Sequence, residues 1–236
     1  MSRPLDDERI ARGMRTQLAQ RAARIAGGET AIGWKVGFGA PAAMQTFGIA
    51  TPLVGYLMQS GRLDSGSAAS LAGWVRPVAE PEIAVHIGRD LEGGGDLAVA
   101  AAAIAGLAPA IELADLDQPP QDVETILSGN IYHRHVLLGP RDDTRAGANI
   151  SGLSGRVFRR GVEVAHTDDL EANTGKVIDI VRHVADLLDA CGERLRAGSF
   201  IICGSVVPPL FVEPDETEIS FTLDPIGSVT VRFQRG

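Results

Sequence analysis

The sequence predicts an α+β fold, a mixed and largely β core with helices at its periphery. Three observations predict it. Short apolar segments with strand alternation recur along the 236 residues. Glycine is plentiful, at 28 residues, and aromatic residues are few, which suits strands joined by tight turns. The long helical patterns stand apart instead of alternating with strands, as a doubly wound sheet would require. No phosphate loop or dinucleotide fingerprint is present, since Gly37-Phe38-Gly39 lacks its third glycine. The length fits one domain over 1–236, with a helix-and-strand part over 1–73 and a core over 74–236.

Taken in order, residues 6–26 form an amphipathic helix. Ile10, Met14, Leu18, Ala22 and Ile25 fall on one stripe, and Gly27-Gly28 stops it. Ala31 to Phe38 is strand-like, and Pro41 to Phe47 is a short helix closed by Gly48. Residues 59–73, rich in Ser, Gly and Ala, read as a mobile loop. Two apolar strands follow, Val78 to Ile87 and Ala108 to Ala114, separated by a turn at Gly93-Gly94-Gly95 and an Ala-rich helix near 96–105. Pro119-Pro120 precedes a short helix over about 121–127, and His133 to Leu138 leads into another strand ended by Gly139-Pro140. Arg156 to Val164 has the pattern of a hairpin turning at Arg160-Gly161. Val177, Ile180, Val181, Val184, Leu187, Leu188 and Cys191 make a helical stripe capped by Gly192. The tail alternates strands and turns over Ser199–Val206, Glu216–Leu223 and Ser228–Phe233.

A net charge of −8 argues against nucleic acid and anionic membrane as partners. Two cysteines, Cys191 and Cys203, are too few for a disulfide framework, and a reducing cytoplasm is expected. The start, Met1 to Glu8, has no apolar signal region. The longest uncharged run, Leu97 to Ile111, is short for a membrane span and holds Gly106 and Pro109.

The strongest chemical signal is Glu80-Pro81-Glu82, followed thirty residues later by Glu112. Alternation along a strand turns Glu80 and Glu82 to one face and Ile83, Val85 and Ile87 to the other. Glu112 sits in the middle of a second apolar strand. Converging carboxylates repel one another, and a hard divalent cation with oxygen preference, Mg²⁺ or Mn²⁺, resolves the conflict. A solvated sheet face with Glu112 paired to an arginine resolves it as well, and spacing does not choose between the two. Lys35 poses a similar question. It lies in an apolar strand flanked by glycines, either snorkelling from an edge to solvent or buried beside the acids as a proton carrier. Cys203-Gly204-Ser205 follows another apolar strand. It is either a plain turn or a place where backbone approaches a ligand and Ser205 binds a carboxylate.

Gly33-Trp34-Lys35-Val36-Gly37, Gln45-Thr46-Phe47-Gly48-Ile49, Thr51-Pro52-Leu53-Val54-Gly55 and Glu80-Pro81-Glu82-Ile83-Ala84 form an ordered set of landmarks. Pro109-Ala110-Ile111-Glu112, Leu195-Arg196-Ala197-Gly198, Cys203-Gly204-Ser205 and the closing Gly227 to Phe233 continue it. Together they resemble the 2-keto-4-pentenoate hydratase / 4-oxalocrotonate decarboxylase branch of the fumarylacetoacetate hydrolase superfamily. The resemblance implies a mixed β-roll like that superfamily's C-terminal domain, with a single catalytic domain over 1–236. It implies a divalent metal, Mg²⁺ or Mn²⁺, held by Glu80, Glu82 and Glu112, and a catalytic Lys35. It implies chelation of a 2-oxo acid through its carboxylate and 2-oxo oxygens, with the enolate stabilised as a bond near C3 is made or broken. A homo-oligomer is implied, and a complex with a related subunit is possible.

The sequence departs from that branch where substrate should sit. Leu53 replaces an acid in Pro52-Leu53-Val54-Gly55, and Asn130 is followed by Ile131, Tyr132, His133, Arg134 and His135 in place of small residues. Asn173-Thr174-Gly175-Lys176 stands where a Gly-His-Pro type of turn is usual. His133 or His135 is therefore a candidate replacement for the missing acid, and Arg134 a candidate for a second substrate carboxylate. Asn130, Gly204 and Ser205 complete the expected substrate contacts. The leading expectation is a hydratase-type lyase on 2-hydroxy-dienoic or 2-oxo-enoic acids. Decarboxylation of a 2-oxo-3-enedioate, hydrolysis of an acylpyruvate, and a silent keto-acid-binding relative are the alternatives.

Overall fold

The computed structural model describes residues 4–117 and 122–235. In chain order the first half contains α1 (Glu8–Ala26), β1 (Ala31–Gly37), α2 (Pro41–Phe47), β2 (Leu53–Met58), β3 (Arg62–Asp64), β4 (Ala68–Ser70), β5 (Pro77–Ile87), α3 (Leu97–Ala103) and β6 (Ile104–Asp115). The second half contains α4 (Val123–Ser128), β7 (His133–Leu138), β8 (Ser154–Arg159), β9 (Val162–Thr167), α5 (Val177–Ala190), β10 (Phe200–Ser205), β11 (Leu210–Phe211), β12 (Glu218–Asp224) and β13 (Gly227–Gln234). The expected Pro119-Pro120 turn lies outside the described residues.

The larger sheet runs β2-β1-β10-β5-β6-β7-β3, with β11 added to the end of β5. Its two edges are consecutive in the chain, because only the turn Gln59–Gly61 separates β2 from β3. A flat sheet cannot satisfy that connection, so the sheet curls into a roll. Its concave face is filled by small and branched residues, among them Leu57, Ala84, Ala108, Ala110, Val136 and Ile202. These share strand parity with Glu80, Glu82 and Glu112, so the carboxylates lie on the inside of the roll. Pairing is mixed: β1 with β10 and β3 with β7 are parallel, and the long β5–β6 pair is antiparallel.

The convex face carries Ile83, Val85, Ile87, Leu107 and Ile111 into the main core, joined there by Val181, Val184 and Leu188 of α5. A second sheet, β4-β13-β12-β8-β9, lays Phe221 and Val231 against the same core. The β8–β9 hairpin turns at Arg160-Gly161 as the sequence suggests.

Several expectations are corrected. Residues 59–73 hold two short strands, not a loop. β3 pairs in parallel with β7, and β4 pairs in parallel with β13. Each has three residues, too few for alternation to show, and only tertiary pairing forms them. The buried stripe of α1 is Ile10, Gly13, Met14 and Gln17, while Ala22 and Ile25 are exposed. The first half of the helix packs against α4 and β2, where the Gln17 amide donates to the carbonyls of Val54 (3.2 Å) and Leu127 (3.0 Å), and the second half projects past them. Lys35 is not on an edge, since β1 lies between β2 and β10. Among the described residues no helix is long and apolar enough to cross a membrane.

Candidate functional site

Strand register builds the acidic cluster. Glu80 of β5 stands directly opposite Glu112 of β6, and Glu82 lies two residues along on the same face. Directly opposed side chains on one face are near neighbours. One oxygen from each of the three carboxylates lies within 4.8 Å of the others. Glu82 and Glu112 are fully buried, and Glu80 is partly buried at the wall of a cavity.

Lys35 reaches the cluster from β1. It is 1% exposed, donates to Glu112 Oε1 and to the Ile131 carbonyl (3.2 Å), and keeps one ammonium donor direction free. The stem crosses Gly55 of β2, where an added Cβ would lie 2.9 Å from Lys35 Cγ. The other occupant of that gap is Asn130, whose amide accepts from Tyr56 N (2.9 Å) and donates to Tyr56 O (3.0 Å). This clamp holds Asn130, Ile131 and Tyr132 in three successive left-handed conformations. A left-handed turn of non-glycine residues costs about 1–2 kcal/mol per residue, and here it turns the Ile131 carbonyl toward Lys35.

Gly204 at the end of β10 has φ +91°, open to glycine at little penalty. That geometry points its N–H at Glu82 Oε2, 2.5 Å away. Behind the cluster, His133 Nδ1 lies 2.8 Å from Glu112 Oε1.

The electrostatics are unbalanced. Burial, reinforced by Glu112, pushes the Glu80 carboxyl up to about 7 and raises Glu82 well above the usual range. Burial would raise Glu112 too, but Lys35 and His133 outweigh it and hold that carboxyl below its ordinary value. Burial lowers His133, against the pull of Glu112, which favours the neutral ring. With all three ionised, the carboxylates beside Lys35 would carry two uncompensated negative charges, which is why burial favours the protonated forms of Glu80 and Glu82. Glu82 Oε1 and Glu112 Oε2 are also buried without a hydrogen-bond partner. Orphaned carboxylate oxygens, an all-oxygen donor set and, once ionised, an excess of two charges together fit a hard divalent cation. A proton competes with the cation for Glu80. With Glu82 raised as well, Mg²⁺ affinity is expected to weaken by at least about tenfold from pH 8 to pH 6, read by calorimetric titration; a flat profile would contradict the assignment. In metal-free protein the raised Glu80 pKa adds stability below its ordinary value that is lost as pH rises through about 7.

A cavity of about 530 Å³ opens in front of Lys35 and Glu80, and Gly204 and Ser205 form part of its wall. A separate cavity of about 350 Å³ lies on the far side, lined by Asn130, His133 and Arg134. The expected site residues thus fall into two groups. Lys35, Glu80, Gly204 and Ser205 face the front cavity, with Glu82 and Glu112 buried beside them. Asn130, His133 and Arg134 do not line it. Arg134 is paired with Asp117 (2.9 Å) and Asp115 (3.6 Å), and His135 stacks on Trp74. Leu53 is buried in the core. Among the described residues, the titratable side chains lining the front cavity are Lys35, Glu80 and Tyr132, and none but Glu80 is a carboxylate that could replace the acid missing at Leu53.

Sequence reasoning missed Phe38, Phe211 and Pro208-Pro209 on the cavity wall. Phe38 carried no sequence signal, although its φ of +57° is a strained backbone feature.

No family model matches the chain. Among curated proteins it is 27% identical over 209 residues to a 4-oxalocrotonate decarboxylase of Pseudomonas putida, covering 87% of this chain and 78% of that one. It is also 27% identical over 213 residues to a 2-keto-4-pentenoate hydratase of Burkholderia vietnamiensis, covering 89% and 80%. The solved structure of 4-oxalocrotonate decarboxylase from Pseudomonas putida G7, complexed with magnesium and adipate, superposes with a TM-score of 0.87 at 25% identity, over 95% of this chain and 86% of that one. The chain is a homologue of these enzymes. It has the mixed, curled-sheet fold of the fumarylacetoacetate hydrolase superfamily, and a second structure of that decarboxylase is complexed with calcium and acetate.

Proposed function

We propose that the protein is a divalent-metal-dependent lyase of the hydratase type, adding water to 2-hydroxy-dienoic or 2-oxo-enoic acids. One observation carries the reading: three converging carboxylates, of which Glu112 is paired with the buried Lys35, sit at the head of a cavity. Glu80, Glu82 and Glu112 would hold Mg²⁺ or Mn²⁺. The chemistry such a cation supplies is charge stabilisation at the 2-oxo oxygen of a chelated acid.

The protein's own groups do the rest. Lys35 lines the cavity, and its Nζ would deliver or remove a proton as the dienol ketonises. Glu112 and the Ile131 carbonyl hold Nζ in place. The Gly204 N–H fixes Glu82, and His133 orients Glu112 from behind as a positioning residue. Ser205 is buried at the cavity wall, and its hydroxyl, which donates to the Pro81 carbonyl at 3.4 Å, would turn from it to meet the substrate carboxylate.

Decarboxylation is the second reading, favoured by the similarity to 4-oxalocrotonate decarboxylases. Hydrolysis is less well supported, because His133, its candidate base, stands behind Glu112 and outside the front cavity. Product analysis after Mg²⁺ loading separates the three. A 4-hydroxy-2-oxo acid carrying solvent oxygen is expected; CO₂ release or chain cleavage would replace the hydratase reading, and no turnover of any 2-oxo acid would favour a silent relative.

Assembly of identical chains is also proposed. Val162 and Val164 stand exposed on β9, a sheet edge, and offer apolar surface for it; a monomer in sedimentation velocity would remove this proposal. Cytoplasmic residence fits the two free cysteines, and recovery of the protein from an oxidising compartment would contradict it.

A further inference from the structure

The front cavity is large and chemically lopsided. Its inner end holds Lys35 and Glu80. Beyond them the wall is made by Phe38, Ile131, Tyr132, Pro208 and Phe211. At about 530 Å³ it falls in the range that encloses drug-sized ligands, far more than a three-carbon acid head occupies. Among the described residues no lining residue beyond Lys35 carries positive charge. Of the uncharged polar side chains on the wall, Asn173 donates to the Ser205 carbonyl (2.6 Å) and Ser205 to the Pro81 carbonyl (3.4 Å), while the Tyr132 and Thr174 hydroxyls offer hydrogen bonds but no charge. A carboxylate at the far end of a substrate would be desolvated there with no cation to offset the cost. Arg134 is held outside by Asp115 and Asp117.

The geometry points to a specificity: the cavity takes 2-oxo and 2-hydroxy-dienoic monocarboxylic acids with an extended apolar tail, alkyl or aryl, and rejects acids with a second, distal carboxylate. This rests on the 2-oxo acid reading of the head site. Phe38 and Phe211 are the specificity-determining walls, and apolar burial of the tail supplies the gain in binding. One cation stands near the rim. Arg76 is exposed and lies over the Phe211 ring, 4.2 Å from its centroid, and it does not line the cavity.

Binding to the Mg²⁺-loaded protein is measured with pyruvate, 2-oxohexanoate and 2-oxoadipate, in wild type, Phe211→Arg and Arg76→Gln. The first acid probes the head alone; the other two share a chain length and differ in the distal group. 2-Oxohexanoate is expected to bind at least about tenfold tighter than pyruvate and than 2-oxoadipate, within the range that one or two tail groups supply. Phe211→Arg, a change at a 44%-exposed position, should bring 2-oxoadipate up by a similar factor. Preferred binding of 2-oxoadipate overturns the inference, and its loss in Arg76→Gln would show that Arg76 takes the distal carboxylate. Equal binding of pyruvate and 2-oxohexanoate overturns it also. Pyruvate binding without tail discrimination leaves the head site standing, whereas failure of all three acids with Mg²⁺ present overturns the head site and the inference together.

Discussion

Replacing Lys35 with methionine is expected to abolish turnover, by a factor of about 10²–10⁴ or more for a lost proton-transfer group, while metal binding survives. The same substitution has a second signature. Lys35 is the buried counter-ion of Glu112, and breaking a buried pair by removing one partner costs about 3–5 kcal/mol. Metal-free Lys35→Met should therefore melt well below wild type. Mg²⁺ should restore much of the difference, because the cation compensates the carboxylate that Lys35 leaves behind. A purely structural lysine gives the loss of stability but leaves kcat intact in Mg²⁺-saturated protein. Full activity in that variant would remove Lys35 from the mechanism.

Glu82→Gln is expected to move two observables in opposite directions. The amide oxygen still accepts the Gly204 N–H, so local geometry is kept. The charge that burial and its acidic neighbours disfavour is gone, so metal-free protein gains stability at pH 8. Mg²⁺ affinity falls by more than the about 10–100-fold that outer-shell partners of metal ligands typically supply. The thermal shift on adding Mg²⁺ should vanish at concentrations that stabilise wild type. If Glu82→Gln destabilised the metal-free protein and kept its Mg²⁺ shift, the carboxylates would be a structural network instead.

The acidic cluster was legible because strand parity is a local rule. Glu80 and Glu82 had to share a face, and only the β5–β6 register was needed to bring Glu112 opposite. The fate of Lys35 was not local. An apolar strand with one lysine reads as an edge or an interior strand alike, and the parallel pairing of β1 with β10 decides it. The resemblance supplied a catalytic role for Lys35 before the pairing was known.

What stayed hidden depends on distant segments or on backbone conformation. β3 and β4 exist through partners about 70 and 160 residues away, Val136 to Leu138 and Arg232 to Gln234. Asn130 was expected at the substrate, but its amide is taken by both backbone groups of Tyr56. Nothing in the letters Asn-Ile-Tyr announces a left-handed turn, since a β-branched residue disfavours it. Arg134 was expected to bind a second carboxylate, and two acids of the β6 end, Asp115 and Asp117, hold it first. His133 joins the site from behind, a placement set by the bulged β6–β7 register at Leu113 and Ala114. The cavity wall draws on Phe38, Tyr132 and Phe211, which no sequence window contains together.

The central claim is that the three carboxylates make a metal site that presents one face to a 2-oxo acid. The most direct measurement titrates oxalate, a mimic of the chelating head group, into wild-type protein by calorimetry with saturating Mg²⁺ and again with EDTA. One Mg²⁺ and one oxalate are expected per chain, each tightening the other by the same factor, as linkage requires. Oxalate binding of equal strength in EDTA, or no Mg²⁺ binding at all, would contradict it.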